Sequence, residues 1–268
     1  MIPVFVVSMK KDTIRRKDIS DKLNSYGVSF SFIDAVDGKL IDDEIVNRLN
    51  INGAASRKKR KITRGEIGCT FSHLLAYDNI INNNIPIAII LEDDAIVDER
   101  FGDFVSCIDN SDFPHDCDDL YILGGQNGID KSKFISKSFW GKKKFGGQYF
   151  YKTIRSEGYI FRTCCYLLSF NSARKLKELS SREFFIADEW SLFKRKNVIC
   201  DLYLADFVDH PLDLSNSHIE SERLDSESNT TEYTMQGKTR WFVKKFLFAS
   251  QIYYKLIYLR ALIRRFYI

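Results

Sequence analysis

The stretch Ile85-Pro-Ile-Ala-Ile-Ile-Leu-Glu-Asp-Asp94 decides the fold. Its apolar run, Ile87 to Leu91, is short and rich in β-branched residues. Such a run reads as a strand buried on both faces, the kind found in a parallel sheet. It stops abruptly at three consecutive carboxylates, Glu92, Asp93 and Asp94. Acids at the carboxyl end of a buried strand fall where open α/β sheets bind ligands. Adjacent carboxylates repel one another unless a cation or donor groups share the site. With no His or Cys close by in sequence, the fitting cation is a hard one, Mg²⁺ or Mn²⁺, holding a phosphate-bearing substrate. If the strand continues, Glu92 and Asp94 share a face and Asp93 points away. The plainer alternative is an acidic loop or helix start.

Outward from this stretch, strands and helices alternate, which implies a mostly parallel sheet flanked by helices. Toward the N-terminus, Pro3–Ser8 reads as a strand, Asp12 to Tyr26 as a charged helix and Val28–Ile33 as a second strand. Asp34-Ala-Val-Asp37-Gly38 supplies turn chemistry. Ile41–Leu49 is a short helix, and residues 52–64, with five cations from Arg57 to Lys61, read as a mobile surface loop. Without interleaved aromatics, that run is a poor nucleic-acid patch. Gly65–Asn83 has helical periodicity, and Thr63 before Glu66 resembles a capping box. Toward the C-terminus, Phe101–Ile108 is a helix and Asp119–Leu123 a strand ending in Gly124-Gly125. Residues 126–157 look like a long active-site loop. Thr163–Phe170 is a strand, Asn171–Leu179 a helix capped by Asn171, and Asp188-Glu189 opens another helix. Val198–Val208 is a strand region, and 215–231 a polar linker.

The bulk numbers bound the class. A chain of 268 residues, 44% hydrophobic, suffices for one large α/β domain with an appendage. Only 4 prolines and 14 glycines exclude a fibrous or low-complexity protein. The six cysteines show no zinc spacing, and their pattern fits reduced thiols in a cytosol. No signal peptide is visible at MIPVFVVSMKK, and no segment reaches the length of a membrane span.

All 36 acidic residues lie in 1–232, whereas eight of the 40 cations lie beyond. A mildly acidic body thus carries a basic tail, 233–268, which is also aromatic, with Trp241, Phe242, Phe246, Tyr253 and Tyr254 among its rings. Cations with aromatic and aliphatic residues but no acids describe a segment that lies on anionic lipid headgroups. The cations do not share one helical face, so the amphipathic helix is imperfect. A helix docked on its own domain or on a second subunit is the alternative.

Several blocks together resemble glycosyltransferase family 25, the lipooligosaccharide galactosyltransferases. They are Val4-Phe-Val-Val-Ser8 with Arg15-Arg16, Phe32-Ile-Asp-Ala-Val-Asp-Gly38 and Gly65-Glu-Ile-Gly-Cys-Thr-Phe-Ser-His73. Ile89-Ile-Leu-Glu-Asp-Asp94, Cys164-Cys-Tyr-Leu-Leu-Ser169 and Ala187-Asp-Glu189 complete the series in the family's order. The chain departs from the family at Cys165, where Gly or Ala is usual, and at Ile186-Ala187-Asp188, where Pro-Val-Asp is usual.

The resemblance implies a GT-A fold. A nucleotide-sugar half, about residues 1–125, is joined to an acceptor half, about 126–220. It implies inverting transfer of a hexose, often galactose, from a UDP-sugar to a lipooligosaccharide or LPS outer-core acceptor. Asp94 is then a metal ligand for Mn²⁺ or Mg²⁺, with Glu92 a second ligand or ribose partner and Asp93 close by. A late histidine, His218 or His210, often completes such a site. Asp188, with Glu189 second, is the candidate general base that deprotonates the acceptor hydroxyl. Val7 and Ser8 at the end of the first strand, with Arg15 and Arg16 after it, stand where uridine and phosphate contacts fall. Asp34 and Asp37 suit ribose or base, and His73 suits the diphosphate or the acidic cluster. The expected partners are a UDP-sugar, a glycan acceptor and, through the tail, the inner face of the cytoplasmic membrane, with no nucleic acid. The competing readings are a metal-dependent phosphohydrolase using the same carboxylates and a non-catalytic nucleic-acid or membrane-binding module.

Overall fold

A computed structural model describes residues 2–113, 118–213, 222 and 252–265. Its centre is one eight-stranded sheet, made of β1 (Val4–Ser8), β2 (Ser31–Asp34), β3 (Ile87–Glu92), β4 (Leu120–Gly124), β5 (Lys137–Phe145), β6 (Gln148–Thr153), β7 (Cys165–Ser169) and β8 (Leu202–Val208). The spatial order is β2-β1-β3-β7-β4-β8-β6-β5. The α/β class matches the sequence reading.

The expectation of a mostly parallel sheet needs correction. β2-β1-β3 is parallel, as is β4-β8, but β7 runs antiparallel between β3 and β4, and β5 and β6 are antiparallel at the far edge. Burial on both faces, rather than strand direction, is what the apolar runs encode.

Alternation along the strands builds two cores. Val4, Val6, Ile89 and Leu91 point to the face covered by α1 (Thr13–Ser25) and α5 (Glu99–Cys107), through Ile19, Leu23, Phe101 and Phe104. Phe5, Val7, Ala88 and Ile90 point the other way. There they meet α4 (Arg64–Asn82), α6 (Phe170–Arg182) and α7 (Trp190–Arg195), through Tyr77, Ile80, Leu176, Trp190 and Phe193. Thr63 and Glu66 close α4 with the reciprocal capping box that the sequence announces. Ser169, rather than Asn171, caps α6 by accepting from the Ser172 N–H.

Two segments read as loops are structured. Residues 137–153 form the β5–β6 hairpin, whose Phe145 and Phe150 stack with ring centroids 4.4 Å apart and join Phe104 and Phe207 in the core. Lys142 and Lys144 face outward, and this lysine-rich outer face masks the strand period in the sequence. The basic run lies at the end of two short helices, α2 (Asp43–Arg48) and α3 (Asn52–Lys58). It is held by acids outside the run: Arg57 pairs with Glu189 and Glu183, and Lys58 with Asp188, all distant in sequence, while Arg60 pairs with the nearby Glu66.

The loop after β2 lies directly on the first turns of α4. A methyl group added to Gly68 would stand 2.6 Å from the Gly38 nitrogen and 2.7 Å from the Val36 oxygen. Ser72 fixes the same contact by accepting the Val36 N–H at 2.9 Å. One further helix, α8 (Ile252–Arg264), docks on the 3-10 turn Asp130–Phe134. There Ser136 Oγ donates to the Ala261 carbonyl at 3.1 Å, and the Arg264 guanidinium to the Arg155 carbonyl at 2.7 Å.

Gly68→Ala forces two backbones apart in a packed region, and overpacking of this kind costs about 1–3 kcal/mol. Chemical denaturation should show that loss in Gly68→Ala, whereas Gly158→Ala, where an added methyl meets nothing within 4 Å, should lose much less.

Candidate active site

The carboxyl ends of β1 and β3, the loop after β2, the N-terminal half of α4 and the segments before β7 and α7 enclose one cleft of about 310 Å³. Val7, Ser8, Arg15, Asp37, His73, Glu92, Asp93, Asp94 and Asp188 all line it. Most of the residues singled out in the sequence therefore meet in one place, although they span more than half the chain.

The acidic triplet forms the floor. β3 ends at Glu92 and the chain turns at Asp93-Asp94, so strand alternation stops there. Asp93 consequently faces the cleft with the other two, instead of pointing away. Ser8 Oγ donates to Asp93 Oδ2 at 2.6 Å and Arg15 to Asp93 Oδ1 at 3.1 Å. Burial pushes the Asp93 carboxyl up, against the pull of Ser8 and Arg15.

Glu92 Oε1 accepts from Thr163 Oγ1 at 2.6 Å and lies 3.3 Å from His73 Nε2. Burial acts to raise the Glu92 carboxyl, but His73, Thr163 and the more distant His210 outweigh it and hold it below its ordinary value. His73 is itself buried, with Nδ1 2.7 Å from the Tyr166 hydroxyl, which lies 3.0 Å from that of Tyr77.

Asp94 is the least compensated of the three. Its Oδ1 is buried with no hydrogen-bond partner. Burial, reinforced by Glu92 and Asp93, pushes its carboxyl up to about 6 against the opposing pull of His210 and Arg15. His210 donates from Nδ1 to the Pro211 carbonyl at 2.9 Å, which leaves Nε2 facing Asp94 Oδ2 at 3.8 Å. An orphaned carboxylate oxygen beside a second carboxylate and an imidazole nitrogen is a donor set that fits a divalent cation. Among the described residues His210 is thus the late histidine at the acidic cluster, while His218 lies outside the described residues.

Asp188 reaches the cleft from the opposite wall. Lys58 donates to its Oδ1 at 2.9 Å and the Arg162 N–H to its Oδ2 at 3.2 Å. Arg162 adopts a left-handed φ of 66°, and its guanidinium is anchored on the Gly125 and Asn127 carbonyls, each at 2.9 Å. Strain held by such a network is typical of functional sites.

Three expected site residues have other tasks. Glu189 is absent from the cleft lining; Arg57 clamps both its oxygens, at 2.8 and 2.9 Å, and the Ile186 N–H adds a third bond. Its carboxylate therefore cannot serve as a base without breaking a buried ion pair. Arg16 buttresses the loop after β1 by donating to the Ser8 and Met9 carbonyls and to Asp34, and it stacks on Phe32. Neither Arg16 nor Asp34 lines the cleft. Conversely, Cys69, Arg162 and Thr163 line it without having been singled out as site residues in the sequence, whereas His210 was one of the two late histidines expected there. Cys69 carried a signal, since it stands one helical turn before His73 on α4.

A domain of this kind is an α/β protein with a carboxylate-floored ligand cleft at its strand ends. The family model described as glycosyltransferase family 25 (LPS biosynthesis protein) matches residues 1–190, and the chain belongs to that family. Over 184 residues, 65% of this chain, it is 25% identical to "Glycosyltransferase 25 family member" of Aedes aegypti. Over 95 residues, 34% of this chain, it is 32% identical to "Procollagen galactosyltransferase 1-B" of Xenopus laevis. The matched stretches span only 28% and 16% of those relatives' own lengths. A solved glycosyltransferase involved in glycosylation of the major capsid of PBCV-1 aligns over 85% of this chain and 98% of its own, at 10% identity and a TM-score of 0.41.

The raised Asp94 carboxyl has a consequence for stability. A carboxyl whose native pKa lies above its unfolded value favours the fold below the unfolded pKa, and that contribution is lost as pH rises through the native one. For a shift from 3.8 to about 6 the loss is about 3 kcal/mol. With divalent ions chelated, Asp94→Asn should raise the melting temperature above pH 7 and change it little near pH 4. A uniform shift at both pH values would show that Asp94 titrates normally.

Proposed function

We propose that this domain is an inverting, divalent-metal-dependent hexosyltransferase. It takes a sugar, galactose in the first instance, from a UDP-sugar and delivers it to a lipooligosaccharide or related glycan acceptor. One observation carries the reading: the buried Asp94 oxygen without a partner, set among Glu92, Asp93 and His210 in an open cleft at the strand ends, in a chain of family 25. Procollagen galactosyltransferases among the relatives support the choice of galactose.

Asp94, Glu92 and His210 would hold Mn²⁺ or Mg²⁺, which would supply charge neutralisation for a departing diphosphate. Ser8 and Arg15 fix Asp93, so that the triplet keeps its orientation while substrates enter and leave. Arg15, Val7 and Asp37 border the donor side. Asp188 takes the proton of the acceptor hydroxyl as it attacks the anomeric carbon. Lys58 and the Arg162 N–H aim that carboxylate.

The chain should release UDP and add a hexose mass to acceptor when given Mn²⁺, nucleotide sugars and lipooligosaccharide. Asp94→Asn should weaken metal-dependent UDP binding about tenfold or more. Asp188→Asn should leave UDP binding intact and lower turnover by about 10²–10⁴-fold. Normal turnover in Asp188→Asn removes it as the base, and failure of every nucleotide sugar with active acceptor overturns transfer.

The acceptor reading implies work at a membrane surface, and we assign that role to the C-terminal segment. Leu256, Leu259 and Ile263 recur one helical turn apart on α8 and remain 50–58% exposed, with exposed Lys255 and Arg260 beside them. No helix among the described residues is long and apolar enough to cross a membrane. In this reading the segment lies on the anionic inner face through that exposed apolar and basic surface. Leu259→Asp with Ile263→Asp should lower co-sedimentation with phosphatidylglycerol vesicles while sparing transfer to a soluble acceptor. Unchanged sedimentation would exclude α8 as the contact.

A further inference from the structure

Cys69 and His73 stand four residues apart on α4 and so project from the same helical face. Glu92, at the end of β3, faces them across the cleft floor. The Cys69 thiol, the ring nitrogen of His73 and a Glu92 oxygen all lie within 4.8 Å of one another. Cys69 Sγ is 4.0 Å and His73 Nε2 3.3 Å from the same oxygen, Glu92 Oε1. Ligands of one tetrahedral zinc, at about 2.0–2.3 Å from the ion, stand comparably far apart.

The surroundings are those of a metal-ligating histidine. Such a residue uses its second ring nitrogen in a hydrogen bond that fixes the ring. His73 Nδ1 meets the buried Tyr166 hydroxyl at 2.7 Å, and Tyr77 backs Tyr166 at 3.0 Å. Thr163 donates to Glu92 at 2.6 Å and keeps that carboxylate turned toward the pair. The fourth direction opens into the cleft, which Cys69, His73 and Glu92 all line.

We propose that Cys69, His73 and Glu92 form a second metal site, selective for a borderline-soft divalent ion such as Zn²⁺. It is distinct in ligand type from the all-oxygen-and-imidazole cluster around Asp94, with which it shares only Glu92. Thiolate with imidazole and one carboxylate selects zinc over the hard ions that carboxylates alone prefer. Because Glu92 belongs to both sets, an ion at this site competes with the donor site for the same carboxylate. Zinc then acts as an antagonist of the hard metal. The site itself stands on geometry, whereas the antagonism rests on the metal site proposed at Asp94.

Co²⁺ is a direct probe, because a thiolate bound to it gives a charge-transfer absorption band in the near ultraviolet. Titrating Co²⁺ into the chelator-treated full chain, without nucleotide, should produce this band and saturate at one ion per chain. Zn²⁺ should bleach it. Cys69→Ser, a near-isosteric change, should abolish the band at unchanged melting temperature. Asp94→Asn should retain it, which separates failure here from failure of the donor-site reading. Tyr166→Phe should weaken Co²⁺ binding about tenfold by freeing the imidazole. Absence of the band in the wild-type chain, or its persistence in Cys69→Ser, would overturn the site.

Discussion

The fold turns on how the Glu92 carboxylate is held at the end of β3. Thr163 donates to it from the segment leading into β7, and His73 meets it from α4. One carboxylate thus joins a strand end, the chain entering the antiparallel neighbour and the helix that covers this face. His73 is in turn fixed by Tyr166 of β7 and, through it, by Tyr77 of α4. A buried polar chain of this kind is stable only when every member is satisfied, and satisfied it specifies one arrangement. The cost of concentrating charge is left at Asp94, where one oxygen has no partner. Glu92 and Asp93, on either side of the network, are held by named donors, while this one Asp94 oxygen is not.

Charge pairing arranges the opposite wall. The run Arg57 to Lys61 reads in sequence as a solvated loop, yet Arg57, Lys58 and Arg60 each meet an acid outside the run. Glu189 is buried and Arg57 partly so, and removing Arg57 would leave a buried carboxylate without its clamp. That pair pins the start of α7 to α3. Lys58, the next residue, is then positioned to hold Asp188 at the cleft. The two neighbouring acids, Asp188 and Glu189, therefore divide into one that faces the substrate space and one that fixes the wall behind it.

Legibility in the sequence followed the range of the interaction. β3, α4 and the capping box at Thr63 and Glu66 are local patterns, and they stand where the residues placed them. The acidic triplet and Ser8, Arg15, Asp37, His73 and Asp188 were recognisable as cleft residues because their blocks resemble a family in order and spacing. What could not be read locally was pairing across the chain. Nothing near Arg16 or Asp34 reveals that they satisfy each other outside the cleft. Nothing near Lys142 and Lys144 reveals that the aromatic residues beside them fill a core built by Phe104 and Phe207. The orientation of β7 was equally hidden, since an apolar run buried on both faces has no direction.

Cys69 shows how the two kinds of information combine. A search for paired cysteines passes over it, because its helical partner is a histidine and its third neighbour comes from the following strand. The i, i+4 spacing with His73 is local and visible, but it acquires meaning only once α4 is laid against β3. That placement depends on small residues: Gly38 and Gly68 let the loop after β2 rest on the backbone of α4. The same contact brings Asp37 to the rim of the cleft and His73 to its floor. The glycines of the family blocks and their polar residues are thus parts of one device, in which close backbone approach sets the distance between the groups that do chemistry.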